Sequence, residues 1–239
     1  MSKPIESQLL GGRTATEVVR IGNTVRHLVG PHSEFKHALL KLLEEKSFGH
    51  APRFLGIDEK GREILTFIEG RVSHGEISWT DDQLIKVVQM LKDFHNATAG
   101  NELAGEKEVV CHNDIAPWNT VLENNVPIAF IDFDDAAPGN RIDDLAYFLW
   151  TFLELGNNVP ADVQAVKMQK LCEVYGLVDK HKLVDAILEQ QEKTLAKREM
   201  LAKDAEDQES REFLASRADI IRLEIKWVKA NKKILEAAL

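Results

Sequence analysis

Residues 109 to 146 read VVCHNDIAPWNTVLENNVPIAFIDFDDAAPGNRIDDLA, and the rest of the chain is interpreted outward from them. Val109 and Val110 form an apolar lead into His112-Asn113-Asp114, and Asn119 follows Asp114 at short range. A short hairpin comes next. The apolar run Ile128-Ala129-Phe130-Ile131 then reads as a buried strand that delivers Asp132-Phe133-Asp134 at its end.

Asn, Asp and Pro are ordinary turn formers, so HNDIAPWN alone would also suit a plain connection. The second carboxylate motif, at short distance behind the first, decides between the two readings. His112, Asp114 and Asn119 have the spacing of the kinase catalytic loop H-R-D-L-x-x-x-N, and Asp132-Phe133-Asp134 takes the D-F-G position. Phosphoryl transfer demands positioning and charge stabilisation more than covalent chemistry. A carboxylate faces the acceptor hydroxyl, while an amide oxygen and a second carboxylate hold the metal that bridges the nucleotide phosphates. Asp114 is then the base, Asn119 and Asp132 hold metal, and His112 is structural. Hard oxygen donors of this kind suit Mg²⁺.

On these residues the chain resembles the aminoglycoside phosphotransferase and choline kinase-like superfamily, small-molecule kinases with a protein-kinase-like fold. Arg141-Ile142-Asp143-Asp144-Leu145-Ala146 is similar to that family's D-L-A segment, in which the residue at the place of Asp144 braces the catalytic loop. The resemblance implies an α+β, bilobal fold. Residues 1–70 would form a small antiparallel-sheet lobe that binds nucleotide and includes the hinge. Residues 71–239 would form a larger, mainly helical lobe carrying the catalytic loop, the metal motif and the acceptor site.

In the first lobe, Glu17 to Ile21 and Thr24 to Leu28 read as a hairpin, with Gly22-Asn23 supplying the positive φ of a two-residue turn. The resemblance places the loop containing Gly12, Arg13 and Thr14 over the nucleotide phosphates. This loop departs from G-x-G-x-x-G. It also puts Arg26 where kinases carry the phosphate-binding strand Lys, a substitution that changes reach and geometry. Residues 34–46 form a helix with Phe35, Ala38, Leu39, Leu42 and Leu43 on its core stripe. It stands where the kinase helix supplies a Glu to that cation; Glu34 is the carboxylate candidate, and His37 faces a similar direction. Pro52–Ile57 and Glu63–Ile68 read as paired strands, and the resemblance makes Thr66, Phe67 and Ile68 the adenine-facing hinge.

Thr80 and Gln83 form a capping box ahead of a helix over about 81–97, buried through Leu84, Val87, Val88, Leu91 and Phe94, with His95 a surface or cap residue. A strongly apolar helix follows Asp143 and stops at Gly156. Three more helices are expected over about 160–175, 179–203 and 206–237, the last two packing as an antiparallel pair or forming an interaction surface. Glu154, Asp185, Glu189 and Glu192 are carboxylates able to attract a cation, or simply solvated faces.

The 239 residues, 44% hydrophobic and 29% charged, are those of an ordinary globular protein, and no apolar run reaches membrane-spanning length. The N-terminal stretch lacks a signal-peptide pattern, which makes the cytoplasm the expected compartment. Cys111 and Cys172 are too few for a disulfide framework and read as small core residues. A net charge of −9 argues against nucleic acid and suits a cationic acceptor. The short interval from Asp132 to Asp144 leaves no room for the activation segment of protein kinases, so the acceptor is small. The leading reading is therefore Mg²⁺-dependent transfer of the γ-phosphate of ATP or GTP to a hydroxyl of an aminoglycoside, amino alcohol or sugar-like metabolite. The competing reading, motivated by Arg26 and the irregular glycine loop, is a non-catalytic nucleotide-binding or interaction protein of the same fold. Intact Asp114, Asn119 and Asp132 favour the enzyme. Oligomeric state is left open.

Overall fold

Where apolar and polar residues alternate along the first third of the chain, they pair into an antiparallel sheet of order β1-β2-β3-β5-β4. Its strands are β1 (Ser7–Gln8), β2 (Val19–Ile21), β3 (Thr24–Leu28), β4 (Phe54–Ile57) and β5 (Arg62–Thr66). These coordinates come from a computed structural model that describes residues 6–8, 18–73, 75, 78–157 and 159–239. The β2–β3 turn differs from expectation in one angle: Gly22 has φ 60, whereas Asn23 is not among the residues of positive φ. Strand β5 begins one residue earlier than the sequence suggests and ends at Thr66, so Phe67 and Ile68 lie beyond it.

Helix α1 (Ser33–Glu45) buries Leu39, Leu40, Leu42 and Leu43, and also Lys36. Phe35 and Ala38, expected on the core stripe, are only half-buried. The buried stripe thus runs through 33, 36, 39, 40, 42 and 43, shifted from the expected one and including a charged residue.

The chain divides into two compact units, Met1–Ser78 with Met90–Gly139, and Trp79–Gln89 with Asn140–Leu239. The first unit holds the five-stranded sheet and α1. It also holds β6 (Val109–Cys111), which pairs with β9 (Ala137–Gly139), and the hairpin of β7 (Thr120–Glu123) with β8 (Val126–Phe130). Asn124 and Asn125 turn that hairpin with φ 50 and 64, the two left-handed residues a tight hairpin turn requires. Gly70 passes so close to the hairpin that a methyl there would fall 2.5 Å from Val121 Cγ1 and 2.6 Å from Leu122 O, at φ +146. Only glycine fits that crossing.

Helix α2 (Asp81–Thr98) starts in the capping box anticipated at Thr80: Gln83 N donates to Thr80 Oγ1 at 3.3 Å, and Thr80 N to Gln83 Oε1 at 2.9 Å. The expected stripe through Phe94 is buried, and so is His95, contrary to its reading as a surface or cap residue. Its neighbours Phe94 and Met90 carry the helix into the core, and His95 follows the same face by helical periodicity.

The second unit is helical: α3 (Arg141–Phe152), α4 (Ala161–Tyr175), α5 (Leu183–Asp204) and α6 (Gln208–Ala237). Gly176 ends α4 in the left-handed conformation, φ 82, with its amide and that of Leu177 donating to Cys172 O. Helices α5 and α6 pack as the antiparallel pair. Arg222 meets Glu199, Lys229 meets Glu192, and Lys232 meets Asp185, so partner numbers fall along α5 as they rise along α6. Among the described residues, no helix is long and apolar enough to cross a membrane.

Candidate active site

Strand β6 is fully buried and launches the loop that carries His112, Asn113 and Asp114. Asn113 adopts φ 64, and its Nδ2 donates to Asp135 O at 2.9 Å, drawing the two acid-bearing turns together. His112 is buried with Nε2 3.1 Å from Ile131 O. A carbonyl can only accept, so Nε2 carries the proton. The His112 ring lies 4.5 Å from that of Phe133, which packs at 5.8 Å against Phe94 of α2. This aromatic layer supports the loop from beneath, with His112 as part of it.

Asn119 ends the loop almost fully buried. Its Nδ2 donates to Asp114 Oδ2 at 2.7 Å and to Asp114 O at 3.0 Å, and Ile131 N donates to Asn119 O at 2.9 Å. One amide thus fixes the orientation of the Asp114 carboxylate and leaves its own oxygen as a hard donor. Asp132 follows at φ 65, a left-handed conformation that costs a non-glycine residue energy and recurs at functional sites. Solvent reaches Asp132, yet protein crowds it. That desolvation first, then the Asp134 and Asp114 carboxylates, push its carboxyl above the ordinary range, while His112 and Lys36 draw it partly back. A divalent cation would relieve the repulsion among these carboxylates, and the donor set of Asn119 oxygen and Asp132 carboxylate fits one.

Beside these acids lies a cluster that the sequence did not reveal. Glu63 of β5 is fully buried and accepts from His27 Nε2 at 2.7 Å, from His37 Nε2 at 2.8 Å and from Lys36 Nζ. Burial would raise the Glu63 carboxyl, but the hydrogen bonds from His27 and Lys36 win and hold it at about 2. Lys36 Nζ also pairs with Asp134. A lysine in a helix stripe of leucines was the available signal, since a charge at a core position is costly unless paired.

The sequence-predicted residues are distributed as follows. Asp114, Asn119 and Asp132 come together. Arg26 does not join them: β3 and β5 pair His27 with Glu63 and Arg26 with Ile64, so Arg26 lies on the opposite face of the sheet. There its guanidinium is 2.5 Å from Thr24 Oγ1 and 3.6 Å from Asp58 Oδ2. Glu34 is exposed on α1, and His37 is the residue that turns inward, stacked 3.8 Å from the Phe54 ring. At the expected hinge, Thr66 N donates to Arg53 O and Phe67 N to Asn23 O, which ties both residues to neighbouring segments, and Ile68 follows. Gly12, Arg13 and Thr14 lie outside the described residues. Asp144 is buried in the first turn of α3. Asp185 and Glu192 are engaged by lysines of α6.

A fold with an antiparallel-sheet N-terminal part and a mainly helical C-terminal part, holding a loop aspartate, its asparagine and a strand-end aspartate, defines a kinase-like phosphoryl-transfer protein. A model of the phosphotransferase enzyme family matches residues 96–169. A trifolitoxin immunity protein from Rhizobium leguminosarum bv. trifolii is 32% identical over 196 residues, covering 72% of this chain and 74% of its own. Among solved structures, a microcompartment-associated aminopropanol kinase aligns with TM-score 0.66 at 14% identity, covering 98% of this chain and 94% of its own. A putative aminoglycoside phosphotransferase from Ralstonia eutropha JMP134 aligns at 0.65 and 11% identity, covering 96% and 94%. A GDP complex of aminoglycoside 2'-phosphotransferase-IIIa aligns at 0.60 and 14%, covering 95% and 94%. The chain belongs to the phosphotransferase enzyme family and has a protein-kinase-like fold.

Proposed function

We propose that the protein transfers the γ-phosphate of ATP or GTP to a hydroxyl of a small, cationic acceptor. The observation that carries this reading is the hydrogen bond from Asn119 Nδ2 to Asp114 Oδ2, which couples the proposed base to the proposed metal ligand. Asp114 accepts the hydroxyl proton as the acceptor oxygen bonds to the γ-phosphorus; the bond between the γ-phosphorus and the bridging oxygen breaks, and the nucleoside diphosphate leaves. Mg²⁺ held by Asn119 and Asp132 would neutralise charge on the phosphates. Gly12, Arg13 and Thr14 are assigned to the phosphates, the backbone of Thr66 to Ile68 to the base, and the residues from 71 onward to the acceptor. Aminoglycosides and amino alcohols are the first acceptors to screen, because the chain is acidic and its structural neighbours include enzymes named for both.

The mutants of the two acids should fail differently. Asp114→Asn should bind Mg-nucleotide nearly normally and lose about 10²- to 10⁴-fold in transfer. Asp132→Asn should lose Mg²⁺-dependent nucleotide affinity. Because the folded protein raises the Asp132 carboxyl, its ionised form opposes folding, and stability falls as pH rises through that titration. The metal-free Asp132→Asn protein should therefore keep or raise its Tm. Transfer assays and calorimetric nucleotide titrations with and without Mg²⁺, alongside thermal melts, check these outcomes. An Asp132→Asn protein with intact metal dependence, or a fully active Asp114→Asn protein, would overturn the roles.

A second reading is favoured by the relative named for toxin immunity: protection by binding, without turnover. A screen of aminoglycosides, amino alcohols and sugars with both nucleotides decides, since nucleotide binding with no phosphorylated product supports the second reading.

A further inference from the structure

Lys36 is 3% exposed, and its ammonium is shared between a carboxylate sealed in the sheet and one at the surface: Glu63 is 0% exposed, whereas the Asp134 side chain is 58% exposed. Glu63 already has hydrogen bonds from His27 and His37, so a lysine is not required to satisfy it. The second anion, Asp134, stands two residues beyond Asp132 in the metal motif. The cation is therefore aimed from the core towards the acids that would hold metal and phosphate. No strand cation takes this place on the same face of β3, where Val25 and His27 stand; Arg26 faces the other way.

We infer that Lys36 is the phosphate-positioning cation of the nucleotide site, delivered by helix α1 and aimed by Glu63 of strand β5. This rests on the kinase reading above. In kinases a strand lysine pairs with a helix glutamate. Here the pair is built the other way round, with the cation on the helix and the carboxylate on the strand. Glu63 holds Nζ throughout, and Asp134 occupies the site that a phosphate oxygen takes when nucleotide binds. Exchange of one anion for another keeps the buried ammonium neutralised, which a site losing its counter-ion would not.

Nucleotide and nucleoside binding by the full chain tests this. Lys36→Met should weaken ATP or GTP binding about 10- to 100-fold, the loss of one charge-assisted hydrogen bond, and leave adenosine or guanosine binding unchanged. Asp134→Asn should tighten metal-free nucleotide binding measured in chelator, because the competing anion is gone. It also keeps the proposal testable if Lys36→Met does not fold. Arg26→Ala should cost less than Lys36→Met. Unchanged triphosphate affinity in folded Lys36→Met, unchanged or weaker metal-free binding in Asp134→Asn, or a larger loss from Arg26→Ala would overturn the role of Lys36 while leaving the kinase reading in place. If the wild-type chain binds neither ATP nor GTP, the kinase reading fails and the role of Lys36 with it.

Discussion

Two charge networks in this molecule use the same chemistry in opposite settings. Around Glu63, one carboxylate inside the sheet collects Lys36, His27 and His37, and nearly all of it is out of solvent. Between α5 and α6, lysines and an arginine meet glutamates and an aspartate, with every side chain 35% or more exposed. Water already solvates the helix pairs, so each adds little to stability. At Glu63 water is absent and the protein donors replace it, so removing the carboxylate they share leaves a buried ammonium short of a partner. Ion-pair number is thus a poor guide to importance here, and burial is the better one.

The largest effect should come from breaking the buried network at its centre. Glu63→Ala strands Lys36 beside a single exposed partner and should cost about 3–5 kcal/mol, read as a shift in urea midpoint. A change below about 1 kcal/mol would mean that the cluster is solvated in solution.

Acid should reveal the same network next. Glu63 is held at about 2, below its ordinary 4.5, so its charge stabilises the fold fully above pH 4.5 and that contribution is lost as pH falls towards 2. Glu63→Gln has no such titration. The stability gap between wild type and Glu63→Gln should therefore be widest near neutrality and narrow between pH 4.5 and 2, measured by denaturant unfolding at each pH. A gap independent of pH would remove the proposed role of the Glu63 charge.

The smallest effect belongs to the helix pair. Lys229→Met and Lys232→Met should each change stability by about 1 kcal/mol or less, and salt should shrink the difference further. If either approached the Glu63 variants in urea midpoint, the contrast between the two settings would collapse.

What could be read in the chain without a structure was the part written locally. Asp114 and Asn119 share one loop, Asp132 ends the next strand, and the chemistry of phosphoryl transfer demands those groups at those intervals. Helices announced themselves through caps and stripes, as at Thr80 and Gly176, because both signals depend on neighbours within a turn. What only the tertiary structure decided was the partner of each distant charge. Lys36 lies 27 residues from Glu63 and 98 from Asp134, and no local rule connects them. The placing of Arg26 and His27 turned on a single residue of register, because side chains alternate along a strand and a shift of one moves a charge to the other face. A sequence lists the charges; packing chooses which of them face each other out of water.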